Sequence, residues 1–398
     1  MFVGFALAVI VTGGLYVRRR ICGALRELGA GERKVRFVRW LIIWLLFGFP
    51  VVAIVSITIS LYLGRPTVPR FDGKAASWFF AIPFAWSVLV TVQSIVWLVA
   101  IDIAHLLIRR RRGVSAAARF RALAVLGVVG VFAIYTPARV AAEHGDLRVR
   151  HHQLVVGTTT APPFRIAFIA DIQQDDHLDA DRARHVYSRV NASSPDLILS
   201  GGDWINSGPD HIAATAEAAS MLSSRLGTFS VRGDHEHFAY VDRHRSVREI
   251  EQALRARNIA MVTNEVRWFD HHGKRIAVVF LNYNYIVRSD REVIRALVAS
   301  VENADYSIVV THQLDAALAE LLADRVDLVL GAHTHGGQVN PVLGLTHVNL
   351  ARVETKFVDG RYRLGATTTV IVTAGVGYSI IPIRYASPGS IELIELSL

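Results

Sequence analysis

Hydrophobic and polar positions divide this chain into two regimes. In the first 146 residues, apolar side chains come in long uncharged runs at 2–16, 40–63, 78–100 and 122–138. The middle two are long enough to cross a hydrocarbon core of ~30 Å at ~1.5 Å per residue. The outer two are shorter and suit thin, tilted or partly interfacial segments. Residues 141–150 read as a short polar connector, after which the apolar runs shorten and alternate with amphipathic stretches. Strands are predicted at 164–170, 196–200, 228–232, 306–311 and 326–330, and helices at 179–190, 212–224, 246–257, 291–301 and 316–323. Residues 268–283 predict a hairpin about His271-His272-Gly273-Lys274, and 367–374 and 390–395 predict closing strands. Strands alternating with helices argue for an α/β layered domain. The expected division is an all-α transmembrane region of about four helices over 1–146 and a globular α/β domain over 147–398.

Composition sharpens this division. The 398 residues are 52% hydrophobic and carry a net charge of +9. Residues 1–146 hold 18 basic against 6 acidic side chains, and residues 147–398 hold 25 against 28. The basicity thus belongs to the apolar half, where it sets topology; a nucleic-acid-binding protein would carry it on the folded domain. No nucleic-acid partner is expected. Arg18, Arg19, Arg20, Arg26, Arg33, Lys34, Arg36 and Arg39 crowd the first loop, and Arg109 to Arg112, Arg119 and Arg121 the third. The second has only Arg65, Arg70 and Lys74 with Asp72. The positive-inside rule places the first and third loops in the cytoplasm and the 147–398 domain on the far side of the plasma membrane. A cleaved signal peptide is not expected, because Arg18-Arg19-Arg20 follow the first apolar run. Asp102 and His105, three apart, read as interfacial side chains in preference to an ion relay. Cys22 is the only cysteine, which excludes an intramolecular disulfide and a cysteine zinc site.

The candidate chemistry lies at the ends of the predicted strands, where open α/β sheets place their sites. Asp171-Ile172-Gln173 follow the first and Gly201-Gly202-Asp203 the second. Gly233-Asp234-His235-Glu236-His237 follow the third, Thr311-His312 the next, and Gly331-Ala332-His333-Thr334-His335-Gly336-Gly337-Gln338 the last. Each alone is a capping carboxylate or a solvated histidine. Five strand ends that each supply a carboxylate, imidazole or amide are the set two neighbouring divalent ions require, and mixed N/O donors without thiolate suit Mn, Fe, Zn or Mg.

This ordered series resembles the calcineurin-like metallophosphoesterase family, whose blocks run D-x-H, G-D-x-x, G-N-H-[DE], an isolated His and G-H-x-H. With the G-G-Q tail and the apolar N-terminal half, it is most similar to the membrane-associated bacterial branch. The resemblance covers roughly residues 164–340 and implies a sandwich of two mixed β-sheets flanked by helices. It further implies two divalent ions, manganese favoured, and hydrolysis of a phosphodiester or monoester by a bridging hydroxide. Asp171 and His335 would hold the first ion, Asp203 would bridge, and His312 and His333 would hold the second. His235 would be catalytic without being a ligand. Two positions depart from the pattern: Gln173 stands for His and Asp234 for Asn. Gln173 trades one nitrogen ligand for an amide oxygen, weaker than imidazole, and Asp234 adds a negative charge and a harder oxygen donor. His177, Asp175 and Asp176 are candidates to replace the missing imidazole. Glu236 is expected to orient a histidine or cap the following segment, and His237, His151, His152, His271 and His272 to lie outside the ligand set. The expected substrate is a phosphorylated small molecule or lipid, with the bilayer as the other partner. The alternative is a receptor on the same fold that binds phosphate or metal without turnover. A channel with a regulatory domain has little support from four short segments.

Overall fold

The protein is described here by a computed structural model that covers residues 2–67, 73–112, 114–157 and 160–398. Arg70 and Asp72 of the second loop lie outside the described residues. All four apolar runs fall on helices: α1 (Phe2–Glu27), α2 (Glu32–Tyr62), a short α3 (Lys74–Ala76) leading through a π-helical turn (Ser77–Ala81) into α4 (Ile82–Arg112), and α5 (Val114–Glu143). Three stretches are long and apolar enough to cross a membrane among the described residues: Glu32–Tyr62, Lys74–Arg110 and Ser115–Glu143. Asp102 is held by Arg20 at 2.5 Å and by the Tyr16 hydroxyl at 2.6 Å, and His105 Nδ1 lies 3.0 Å from the Ala117 carbonyl oxygen. Both are thus paired to neighbouring helices.

The remaining elements are β1 (Leu147–Val155), β2 (Phe164–Ile169), α6 (Ala180–Ala192), β3 (Leu197–Ser200), α7 (Ile212–Ala219), β4 (Thr228–Ser230) and α8 (Arg243–Arg255). They continue with β5 (Ile259–Met261), β6 (Glu265–His271), β7 (Lys274–Leu281), α9 (Arg291–Ala299), β8 (Tyr306–Thr311), α10 (Ala316–Leu322) and β9 (Leu328–Gly331). The last are β10 (Val342–Leu343), β11 (Thr346–His347), β12 (Gly360–Leu364), β13 (Thr368–Val372) and β14 (Gly389–Ser397). One six-stranded sheet has the order β1-β14-β2-β3-β4-β5, the other β12-β13-β9-β8-β7-β6. Both are mixed. β14 is antiparallel to β2, β6 to β7 and β12 to β13, while β2, β3, β4 and β5 run parallel, as do β7, β8, β9 and β13.

The inner faces meet in a core that includes Phe168, Leu199, Phe280, Val310, Leu330 and Ile371. The outer face of the first sheet is covered by α6, α7 and α8 through Tyr187, Ala218, Ile250 and Leu254. That of the second is covered by α9 and α10 through Ile294, Val298, Leu318 and Leu322. Strands buried on both faces explain why their sequences are continuous apolar runs. Asp side chains start three of the helices by accepting orphan N–H groups: Asp179 from Arg182, Asp242 from His244 and Arg245, and Asp315 from Leu318.

Three expectations need correction. Residues 147–150 belong to no connector but open β1, an edge strand whose charged sequence is half-exposed over most of its length. Helix α8 begins three residues early, at the Asp242 cap, and α7 stops at Ala219 instead of running to 224.

The α/β domain is seated on the helices by its own loops. Ile383 and Tyr385 pack against Ala85 and Leu89 of α4. The Tyr385 hydroxyl donates to Gln93 Oε1 at 2.7 Å, and Gln93 Nε2 donates to Thr136 Oγ1 of α5 at 3.0 Å. Glu143 accepts from the Ala386 N–H at 2.6 Å. Because Gln93 is fully buried, Tyr385→Phe leaves an amide oxygen without its donor. We expect a loss of about 1–3 kcal/mol, read as a lower midpoint in thermal unfolding of the detergent-solubilised chain.

Candidate metal centre

The predicted site residues do come from the strand ends, and the backbone there is unusual. Asp171 (φ 52°), Gln173 (φ 45°), Asp203 (φ 59°), His333 (φ 74°) and His335 (φ 51°) all adopt the left-handed conformation. Each costs on the order of 1 kcal/mol for a residue with a Cβ, and such outliers gather at functional sites. Gly375, after β13, has φ 63°, and a Cβ there would lie 2.6 Å from Asp171 Oδ2. The sheet therefore supplies a sixth strand end, which presses backbone against the first ligand candidate.

Two overlapping groups of donor atoms result. Asp234, His312 and His333 form one; Asp171, Asp203 and His312 form the other. Asp234 Oδ2 lies 3.2 Å from His312 Nε2 and 2.8 Å from His333 Nδ1, and His312 Nε2 lies 3.5 Å from Asp203 Oδ2. Gln173 Nε2 donates to Asp203 Oδ2 at 3.1 Å, which places the amide in the same cluster. His335 belongs to neither group among the described residues. It is buried beside them, with Nδ1 3.5 Å from Arg384 Nη2.

Neighbouring groups aim these ligand candidates. His312 Nδ1 lies 2.7 Å from the Gly201 carbonyl oxygen and His333 Nε2 3.2 Å from Glu354 Oε1. Donation there leaves His312 Nε2 and His333 Nδ1 as the ligating nitrogens. His235 is set by its Nδ1 contact to the Asn206 carbonyl, which turns Nε2 toward Asp203 Oδ2 at 3.9 Å.

Glu236 acts differently from expectation. It orients no histidine; its buried carboxylate accepts the N–H groups of Asp203 (2.9 Å), Trp204 (2.8 Å) and Gly233 (2.6 Å), tying the β3 and β4 loops together. His177, Asp175 and Asp176 do not replace the missing imidazole in either group. His177 Nε2 turns to Ser77 Oγ at 2.8 Å, Asp175 accepts from Asn206 Nδ2 at 2.8 Å, and Asp176 faces His211 at 3.5 Å.

The electrostatics show what the cluster lacks. Burial, reinforced by Asp203, lifts the Asp171 carboxyl to about 6, and burial with Asp203 lifts Glu236 to about 7. Burial opposes charge on His312 and His333, yet the carboxylates win. Asp203 and Asp234 hold His312 well above its ordinary range, and Asp234 with Glu354 raise His333 to about 9. Asp234 is depressed despite its burial, by those same imidazoles. Burial and Arg384 hold His335 well below the ordinary range, as neutral imidazole. Protons on His312 and His333 thus supply positive charge among the carboxylates. The buried acceptor Gln173 Oε1 has no hydrogen-bond partner, and Asp234 Oδ2 is met only by the two imidazoles. An unpartnered amide oxygen inside a carboxylate–imidazole cluster fits divalent cations. Asp171, Asp203 and His312 border one candidate position, and Asp234, His312 and His333 the other.

A two-sheet sandwich with this set at its strand ends defines a metallohydrolase-type domain. The sequence matches the calcineurin-like phosphoesterase family over residues 164–337, and this stretch is a calcineurin-like phosphoesterase domain. A Helicobacter pylori protein named an uncharacterized metallophosphoesterase is 26% identical over 235 residues, covering 58% of this chain and 59% of that one. A Danio rerio protein named transmembrane protein with metallophosphoesterase domain is 25% identical over 260 residues, covering 58% and 53%. The chain thus spans less than two thirds of the length of these curated relatives. Among solved structures, the NAD nucleotidase of Haemophilus influenzae aligns at a TM-score of 0.39 with 12% identity, covering 53% of this chain and 50% of that one.

The sequence pointed to neither Arg384 nor Glu354, since neither stands in a local pattern. The Thr373-Ala374-Gly375 strand end carries a glycine signal that could have been followed.

Because His312 and His333 hold protons that a cation must displace, divalent-ion binding should release protons and tighten as pH rises toward the His333 value of about 9. Calorimetry of Mn binding at pH 7 in buffers of different ionisation enthalpy should show about one proton released per ion. No release would contradict this protonation pattern.

Proposed function

We propose that the chain is a membrane-anchored, metal-dependent phosphohydrolase. Residues 1–146 form the membrane region and 147–398 the catalytic domain on the extracytoplasmic side of the plasma membrane. The observation that carries this reading is the pair of overlapping buried donor groups that share His312. Its support in the chain is the family match, the three apolar helices and the basic first and third loops.

Asp171, Gln173, Asp203 and His335 hold one divalent ion, and Asp203, Asp234, His312 and His333 the other. The thiolate-free, oxygen-rich set favours Mn among Mn, Fe, Zn and Mg. Bound there, two ions supply positive charge for the phosphate oxygens and lower the pKa of a water for attack on phosphorus. The protein's own part is positional. Glu236 and the left-handed backbone keep three loops in register, and Glu354 and the Gly201 carbonyl fix which imidazole nitrogens face inward. His235, with Nδ1 engaged by Asn206, presents Nε2 to protonate the leaving oxygen. The substrate is a phosphate ester, diester or monoester, of a small molecule or a lipid.

A second reading, a binding protein without turnover, follows from the weaker amide ligand at Gln173. Hydrolysis of a chromogenic diester and its matching monoester by the Mn-loaded, detergent-solubilised chain separates the two. We expect metal-dependent turnover that falls on the order of 10³-fold in Asp203→Ala. A folded chain with no turnover under any divalent ion would favour the binding protein.

A further inference from the structure

Between the helices and the domain lies an apolar cavity of about 810 Å3, within the ~300–1,000 Å3 range of ligand pockets. Its walls include Trp44 of α2, Trp86 of α4, Pro137 and Val140 of α5, and His177 and Ile383 of the domain. All three apolar helices long enough to cross a membrane contribute. Trp78 also borders it and is 67% exposed, and tryptophans are enriched at bilayer interfaces.

Two hydrogen-bonded routes lead from these walls toward the metal centre. Ile383 precedes Arg384, whose guanidinium donates to the His335 carbonyl at 3.2 Å. The His177 N–H donates to Asp175, which accepts from Asn206, whose carbonyl sets His235. Arg182 donates to the carbonyl of the wall residue His177 at 2.7 Å and lies 3.1 Å from His144, another wall residue, which brings a guanidinium next to the cavity lining.

The loops that follow the His335 block also approach the helices. The β10–β11 hairpin follows the His335 loop and lies along α4, with a Cβ built at Gly344 3.8 Å from Val96. Its tip residue Leu345 is 90% exposed, and Leu350, Val353 and Ile380 are exposed on neighbouring loops. Val96 belongs to one of the three helices long enough to cross a membrane, and exposed apolar side chains that gather on a surface mark an interaction site.

From these three features we infer that the substrate is a bilayer amphiphile. Its hydrocarbon chain occupies the cavity between α2, α4, α5 and the 379–386 loop, and its anionic phosphate ester reaches the metal centre past Arg182 and His177. This rests on the phosphohydrolase reading. The occupant is a lipid chain because the cavity walls belong to membrane helices and open where lipid is the neighbouring phase. Thr136, His144 and His177 stand among mostly apolar side chains in the walls, a surface that suits a hydrocarbon chain better than a polar metabolite.

The test uses the full chain, Mn-loaded in phosphatidylcholine vesicles, with p-nitrophenyl hexadecyl phosphate and p-nitrophenyl methyl phosphate. Wild type should prefer the hexadecyl ester in kcat/KM by at least roughly tenfold. Partition into vesicles alone would favour it equally in any variant, so Val140→Trp, which fills the cavity, is the discriminating comparison, with Ile82→Trp as a second filling should the first not fold. Collapse of the preference to within about threefold in the filled variant supports the inference. Equal kcat/KM for both esters in wild type, or an unchanged preference in the filled variants, overturns the inference and leaves the hydrolase reading standing. Turnover of neither ester overturns both.

Discussion

Three carboxylates and two imidazoles gathered within a few ångströms of one another are the constraint on which this structure depends. Burial keeps most of them from water, and the protein supplies few donors to them, as the unpartnered Gln173 oxygen shows. Such a cluster persists only with cations inside it, protons or metal ions. The strained backbone follows from the same requirement. Left-handed turns at Asp171, Asp203, His333 and His335 direct side chains from separate strands to one point, and the Glu236 carboxylate holds the loops against the resulting repulsion. Burial lowers the Arg384 guanidinium to about 10, yet it remains charged behind His335 and keeps that imidazole neutral.

The same loops connect the centre to the helices. Gln338, directly after the last histidine block, donates through Nε2 to the carbonyls of Ser379, Ile381 and Ile383. The next residues, Ile383 and Tyr385, seat the domain on α4. Irregular backbone beside apolar helices is tolerated because its polar groups are satisfied within the protein. Ligand geometry and attachment to the helices therefore share one short segment, so a change at the junction is transmitted to His335 through Arg384.

Much of this was legible in the sequence because the physics is local. A buried strand is an apolar run, and a polar residue at its end is conspicuous, so the central strands and the strand-end residues Asp171, Asp203, Asp234, His312 and His333 could be read from the sequence, whereas the order of strands in each sheet could not. Edge strand β1 escaped notice because its half-exposed charged sequence, Leu-Arg-Val-Arg-His-His, carries no apolar run. Glu236, Glu354 and Arg384 act through contacts between distant segments, which no spacing reports. His177 stands in the right loop to be a ligand. Only the packing of that loop against Ser77 shows that it turns to the helices.

The central claim, that this donor cluster is a two-ion centre, is tested most directly by counting metal. The chain should be dialysed against Mn, freed of loose ions by gel filtration and analysed by plasma mass spectrometry. The account predicts two ions per chain in the wild type and a loss of both in a chain where Asp203 and His312 are replaced by Ala. Retention of less than one ion per chain, or retention that survives the double replacement, would contradict it.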